Sequence, residues 1–161
     1  MFSKEKQEEL MRKAIALADE AAQKGNEPFA ALLCDDDGNV IVSSTNLEAD
    51  EGNPIAHAET TLIRKACAML NTRDLSSYNV FTNAECCPMC AAALTLAGIR
   101  KFYYGAPMES FCNPYIRMKD VLSNVVWEYT LVENVLAEEC KAHIDEARRN
   151  KPAADISLSA K

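Results

Sequence analysis

The chain lacks an apolar stretch long enough to cross a bilayer. Its longest run, residues 89–99, is interrupted by Thr95 and Gly98 and falls short of the roughly 20 residues that a spanning helix needs, so no membrane segment is indicated. Residues 1–9, Met-Phe followed by seven polar or charged residues, hold no hydrophobic signal core, so a reduced, cytoplasmic setting is expected. Basic residues are in the minority: 17 Lys and Arg stand against 24 Asp and Glu, for a formal net charge of -7. An acidic balance repels a phosphate backbone unless a local basic patch offsets it. Nucleic acid is therefore disfavoured as a partner, and small neutral substrates are unaffected. No internal repeat, linker or second domain is visible, and residues 1–150 read as one domain followed by a small, polar, flexible tail at 151–161.

What is present suits one ordinary globular core: 161 residues, 48% hydrophobic and 25% charged. Seven cysteines could suggest a disulfide scaffold, but that reading belongs to small secreted chains. Cys34 and Cys67 read instead as small buried hydrophobes.

Apolar residues at helical spacing predict an amphipathic helix over 3–24, stopped by Gly25. Two short apolar runs, 29–34 and 40–44, flank Asp35-Asp36-Asp37-Gly38-Asn39 and predict a hairpin. The three aspartates lack the further spaced oxygens and closing glutamate of a Ca²⁺ loop, so they read as a solvated turn. A loop over 46–54 precedes a helix at 55–70, a strand at 78–82, a helix at 88–97 and a strand at 99–104. A helix over 110–122 and a strand over 125–132 follow, with Trp127 and Tyr129 in the core, and Asn134 is expected to cap a last helix. That helix carries Glu138 and Glu139 early and Arg148 and Arg149 late, as its dipole favours. The alternation predicts an α/β fold, a three-layer α/β/α sandwich on a five-stranded mixed sheet.

Two stretches carry the chemistry: His57-Ala58-Glu59 and, thirty residues on, Cys87-Pro88-Met89-Cys90. One imidazole and two thiolates make three protein ligands, and a catalytic zinc keeps its fourth position for water. One Zn²⁺ per chain on His57, Cys87 and Cys90 is expected, which leaves Glu59 free to move protons. Pro88 suits the first position of a helix, so both sulfurs sit where unpaired N–H groups favour thiolate. Hydrolytic removal of an exocyclic amine fits these parts. The two half-motifs are weak separately and specific together, and the pair matches the H-x-E and P-C-x-x-C signature of zinc deaminases that act on nucleobases.

Three rivals remain open. Cys140 and His143 could close a four-ligand structural zinc site with Cys87 and Cys90, giving a non-catalytic zinc-stabilised module, although both lie on or beside the apolar stripe of Leu136, Cys140 and Ile144. Cys86 competes as a ligand but precedes the helix. A redox Cys-x-x-Cys would leave His57 and Glu59 without a role.

These residues resemble the cytidine/deoxycytidylate deaminase superfamily, in the branch that holds guanine deaminases, yeast-type cytosine deaminase and bacterial tRNA adenosine deaminases. The likeness runs over Glu27-Pro28-Phe29-Ala30-Ala31, Asn46, Asn53-Pro54-Ile55-Ala56-His57-Ala58-Glu59, Thr82-Asn83-Ala84-Glu85-Cys86-Cys87-Pro88-Met89-Cys90-Ala91 and Phe102-Tyr103-Tyr104-Gly105. It implies that Asn46 hydrogen-bonds the base, that Ala58 offers a backbone N–H and that Phe29 lines the pocket. Guanine deaminases complete that pocket with C-terminal residues, in some cases from a partner subunit; Phe111, Cys112, Asn113 and Tyr115 mark the region to watch for base contacts. Relatives form dimers through helices beside the site, so a homodimer is expected.

Two departures matter. Cys86 stands where the family usually has proline, and Pro107-Met108 stands where tRNA-editing members usually carry Arg-Asp. The resemblance therefore implies a deaminase of a small free nucleobase or nucleoside, guanine-like first. A cytosine, isocytosine or other aminoazine deaminase comes second, and a tRNA adenosine deaminase third.

Overall fold

In the computed structural model, residues 1–150 are described; the tail expected at 151–161 lies outside them. The first helix, α1 (Lys4–Gln23), starts where the Ser3 hydroxyl accepts a hydrogen bond from the Lys6 N–H, and it buries Leu10, Met11, Ala14, Ala18 and Ala21. Strands β1 (Ala30–Cys34) and β2 (Val40–Thr45) form the expected hairpin. The aspartate turn between them is a solvated one: Asp35 accepts from the N–H groups of Asp37 and Asn39, and Asp36 pairs with Lys101 at 2.6 Å.

The loop expected at 46–54 instead contains a short helix, α2 (Glu48–Glu51). Its start is held from afar, because the Asn26 side chain accepts from the N–H groups of Ala49 and Asp50. Then come α3 (Ala58–Leu70), β3 (Asn79–Ala84), α4 (Pro88–Leu96) and β4 (Lys101–Ala106).

The sheet order is β2-β1-β3-β4-β5, with β5 (Thr130–Val132) at one edge. β1 pairs antiparallel with β2 and β3, while β3, β4 and β5 run parallel. Alternate strand residues serve opposite faces. Leu33, Val80, Phe102 and Tyr104 pack under α3, α4 and α5 (Met118–Leu122), and Leu32, Phe81 and Tyr103 pack under α1 and α6 (Ala137–Arg149). This is the three-layer sandwich. Among the described residues no helix is long and apolar enough to cross a membrane.

The structure corrects the sequence reading between 108 and 136. The helix expected over 110–122 is a 3-10 turn (Met108–Ser110), an irregular segment through 117, and the five-residue α5. Pro114 cannot donate inside a helix, and Arg117 with Asp120 forms a capping box that starts the helix late. Strand pairing begins only at Thr130; Val126 is 94% exposed and Tyr129 is also exposed. Trp127 is half-buried under the Arg100 guanidinium, 5.6 Å from its ring centre, and is not a core residue. Asn134 does not cap the last helix. It adopts a left-handed φ of 62°, and Leu136 takes the N-cap position.

Candidate active site

Two helix N-termini converge on one side of the sheet, at the carboxyl ends of β3 and β4. His57 is the N-cap of α3 and Cys87 the N-cap of α4, with nearly equal dihedrals of -69°/161° and -66°/163°. Neither side chain caps its own helix. Both are released to point at the same space, and Cys90, one turn into α4, joins them.

Cys87 Sγ lies 3.6 Å and Cys90 Sγ 3.5 Å from His57 Nδ1. A tetrahedral zinc with bonds of about 2.3 Å to sulfur and 2.0–2.1 Å to nitrogen separates such atoms by about 3.6 Å, so the spacing is that of a zinc site. His57, Cys87 and Cys90 form the metal-ligand cluster of the described residues. Behind it, Glu48 lies 3.8 Å from the other imidazole nitrogen, on the side from which a carboxylate orients a ligating histidine.

Electrostatics prepare the set for metal. Without metal, hydrogen bonds from Cys90 and then His57 lower the Cys87 thiol to about 4, while the same Cys87 contact and burial raise Cys90. The Cys87 contact raises His57 to about 9. Glu59 is 8% exposed, and its pKa is raised, first by burial and then by the charge of Cys87.

The cluster opens into a cavity of about 340 Å³, lined by Phe29, Asn46, Ala58, Glu59, Thr82 and Phe111 among others. Each expected substrate contact except Asn113 is on that wall; Asn113 and Tyr115 are exposed and are not among the lining residues. Cys112 does line it. Asn46 is oriented by α2, with its Oδ1 accepting from the Glu48 N–H and its Nδ2 donating to Glu48 Oε2 at 2.6 Å.

Several lining residues were not singled out from the sequence as site residues. Asn83 is fully buried and fastens the approach to β1: its Oδ1 accepts from Ala30 N–H at 2.8 Å and its Nδ2 donates to Pro28 O at 2.9 Å. Glu85, 3% exposed, accepts from the N–H groups of Met108 and Met118 and from the Arg117 guanidinium at 2.8 Å, so it holds both ends of the irregular segment. Glu27 and Arg148 come from opposite ends of the chain. The position of Asn83 and Glu85 just before the cysteines was the available signal; Arg148 had none beyond helix polarity.

The rivals do not assemble. Cys140 and His143 belong to the opposite layer: Cys140 Sγ donates to Val135 O, and His143 pairs with Asp19 at 3.2 Å. A Cβ at Gly105 would collide with Cys140 Sγ and sit 2.6 Å from Asn83 O, so glycine is required where α6 crosses β4. Cys86 is buried beneath the cavity with its Sγ 3.8 Å from Thr82 Oγ1, and burial raises its pKa well above the ordinary thiol value. It is not among the residues that line the cavity, but its thiol contacts Glu59, which does.

Fold and cluster together define a zinc enzyme of the α/β/α type. The zinc-binding region of cytidine and deoxycytidylate deaminases matches residues 4–106, and the chain belongs to that family. It is a zinc-dependent hydrolase acting on C–N bonds. The tRNA-specific adenosine deaminase of Bacillus subtilis is 35% identical over 164 residues, covering 95% of this chain and 98% of that protein. The guanine deaminase of Bacillus subtilis is 36% identical over 100 residues, 62% of this chain and 64% of that one. A guanine deaminase structure from Nitrosomonas europaea superposes with a TM-score of 0.78 at 24% identity, covering 88% of this chain and 84% of that chain, a likeness of fold.

Proposed function

We propose that this protein deaminates a small free nucleobase, guanine-like in its ring and donor pattern, with release of ammonia. The observation that carries the reading is the cavity itself. At about 340 Å³ it lies near the lower end of the roughly 300–1,000 Å³ typical of ligand pockets, with an apolar wall made of the Phe29 and Phe111 rings, in contact with each other at 5.6 Å between centres. Its lining holds Glu27, Glu48, Glu59 and Glu85 against the single arginine Arg148. Glu27 is paired with Arg148, Glu85 with Arg117, and burial favours protonated Glu59, so the lining offers acceptors to a flat ring rich in N–H donors rather than a large net charge.

Zinc held by His57, Cys87 and Cys90 supplies a Lewis acid that lowers the pKa of water. Glu59, at the second position of α3 and on the cavity wall, takes one proton from the attacking water and gives it to a ring nitrogen, then takes the proton of the added hydroxyl and gives it to the leaving amine, so that the oxygen of water replaces ammonia on the ring. Burial favours its protonated form, which suits a group that must both accept and return a proton. Asn46 hydrogen-bonds the ring, Ala58 offers the N–H at the helix start, and the touching Phe29 and Phe111 rings form one apolar wall beside it. The protein acts in the cytoplasm as a homodimer, and the exposed Met89 and Leu96 on α4 support such an interface beside the site.

A second reading, tRNA adenosine deamination, is favoured by the near full-length likeness to the Bacillus subtilis enzyme. The formal net charge of -7 and Pro107-Met108 speak against it. Ammonia release measured across guanine, cytosine, isocytosine, adenine, their nucleosides and a tRNA anticodon stem-loop separates the two. Turnover of guanine without turnover of the stem-loop supports the first reading, and the reverse result overturns it.

A further inference from the structure

Arg148 lies in the last turn of α6 and reaches back over the cavity. Its Nη1 donates to Phe111 O at 2.7 Å, and its Nε lies 3.4 Å from Glu27 Oε2. The guanidinium stands 5.6 Å from the centre of the Phe29 ring and 5.8 Å from that of Phe111. Four cavity-lining residues, from the segment before β1, the irregular 111–117 segment and α6, are thus joined at one cation.

The mechanical context gives this junction a role. Glu85 grips the irregular segment at Met108 and at Arg117 and Met118, but Phe111 lies between those anchors. Cys112, Asn113, Tyr115 and Ile116 beyond it are exposed and bury nothing that would hold the middle of the segment. Beside the turn bonds from the Phe111 and Cys112 N–H groups to Met108 O, Arg148 adds a restraint from outside the segment, through a charge-assisted hydrogen bond to the Phe111 carbonyl and contact with its ring.

We infer that Arg148 is the positioning residue that fixes the Phe111 wall against Phe29, and so sets the size limit that admits a free base and excludes the same base carrying a sugar. The inference rests on the small-base reading given above. Arginine is required because its planar fork serves Glu27 and the Phe111 carbonyl together while its face lies over two rings; a lysine ammonium offers one point charge and no planar face.

The test compares full-length, zinc-loaded wild type with Arg148→Ala and Arg148→Lys. Steady-state kinetics are measured on guanine and guanosine, and hydrogen exchange is measured at the amides of Phe111 and Cys112, both of which donate to Met108 O. The expected result is a KM for guanine raised about tenfold, the scale of losing one or two charge-assisted hydrogen bonds. kcat should change less than about threefold, since no reacting atom is touched. The guanosine-to-guanine ratio of kcat/KM should rise, exchange should accelerate at both amides, and lysine should not restore the wild-type values. An unchanged KM and substrate ratio overturns the inference, as does unchanged exchange. A parallel fall in kcat and thermal stability at constant KM also overturns it, because that marks a merely structural role. If wild type turns over no free base, the proposed function fails, and the exchange measurement alone decides whether Arg148 holds the wall.

Discussion

His57 and Cys87 occupy equivalent positions on two different helices, each the N-cap residue in extended backbone, and their side chains meet at 3.6 Å. An N-cap residue normally spends its side chain on its own helix. Here both side chains turn away, which leaves two helix N-termini facing one anion-favouring space. Zinc thiolates benefit from that field, whereas burial and the neighbouring Cys87 charge raise the pKa of Glu59.

Loss of one ligand should therefore empty the site without unfolding the chain. His57→Ala and Cys90→Ala are expected to lower bound zinc from one per chain to near zero after dialysis against a weak chelator, read by elemental analysis. The far-ultraviolet circular dichroism should be retained. The double variant Cys140→Ala, His143→Ala should keep its zinc, because both residues sit in the opposite layer.

Zinc binding should release about two protons near neutral pH, one from His57 and one from Cys90. In the metal-free protein the Cys87 thiolate persists down to about 4, whereas His57 stays protonated up to about 9 and Cys90 keeps its proton. Zinc needs all three deprotonated, so its affinity rises with pH through this window. Calorimetry in buffers of different ionisation enthalpy counts the protons; a count of zero would contradict the assigned ligand states.

Arg117→Ala should cost about 3–5 kcal/mol, the scale for removing one partner of a buried ion pair and leaving the other charge unpaired. Glu85 is 3% exposed with the Arg117 guanidinium on it, so truncation leaves its charge without a cationic partner. For a chain of this size each kcal/mol moves Tm by roughly 2–4 °C, so thermal unfolding should shift by about 6 °C or more. Arg117→Met with Glu85→Gln should recover part of the loss.

Asn83→Ala should leave the buried Ala30 N–H and the Pro28 carbonyl without their partner, at about 1–3 kcal/mol. The entry to β1, and with it Phe29, then loosens. KM for the base should rise more than kcat falls, a split that steady-state kinetics on the zinc-loaded variant would show.

Where structure followed from local pattern, the sequence was a sufficient guide. Residues 4–106 alternate strongly between helical and strand periodicity with glycine or proline at the boundaries, and the metal ligands belong to two adjacent strand-to-helix turns. Legibility failed where the determining contact is remote. α2 depends on the Asn26 side chain more than twenty residues earlier, and the segment after Ser110 follows the Glu85 carboxylate and Arg148 rather than its own apolar spacing. The apolar run at Val125, Val126 and Trp127 reads as a strand, yet β5 is an edge with β4 as its neighbour and needs only three residues. Arg148 reads as a residue placed to suit a helix dipole; only folding brings it to the cavity.

If, as proposed, Glu59 moves protons at a zinc site built for a small ring, turnover depends on its carboxylate while zinc binding does not. The most direct test is ammonia release from guanine by the zinc-loaded protein and by Glu59→Gln, each carrying one zinc per chain. Loss of at least about 10²-fold in kcat with zinc retained is the expected result, the scale of a general acid-base residue. Turnover by Glu59→Gln within a few-fold of wild type would contradict it.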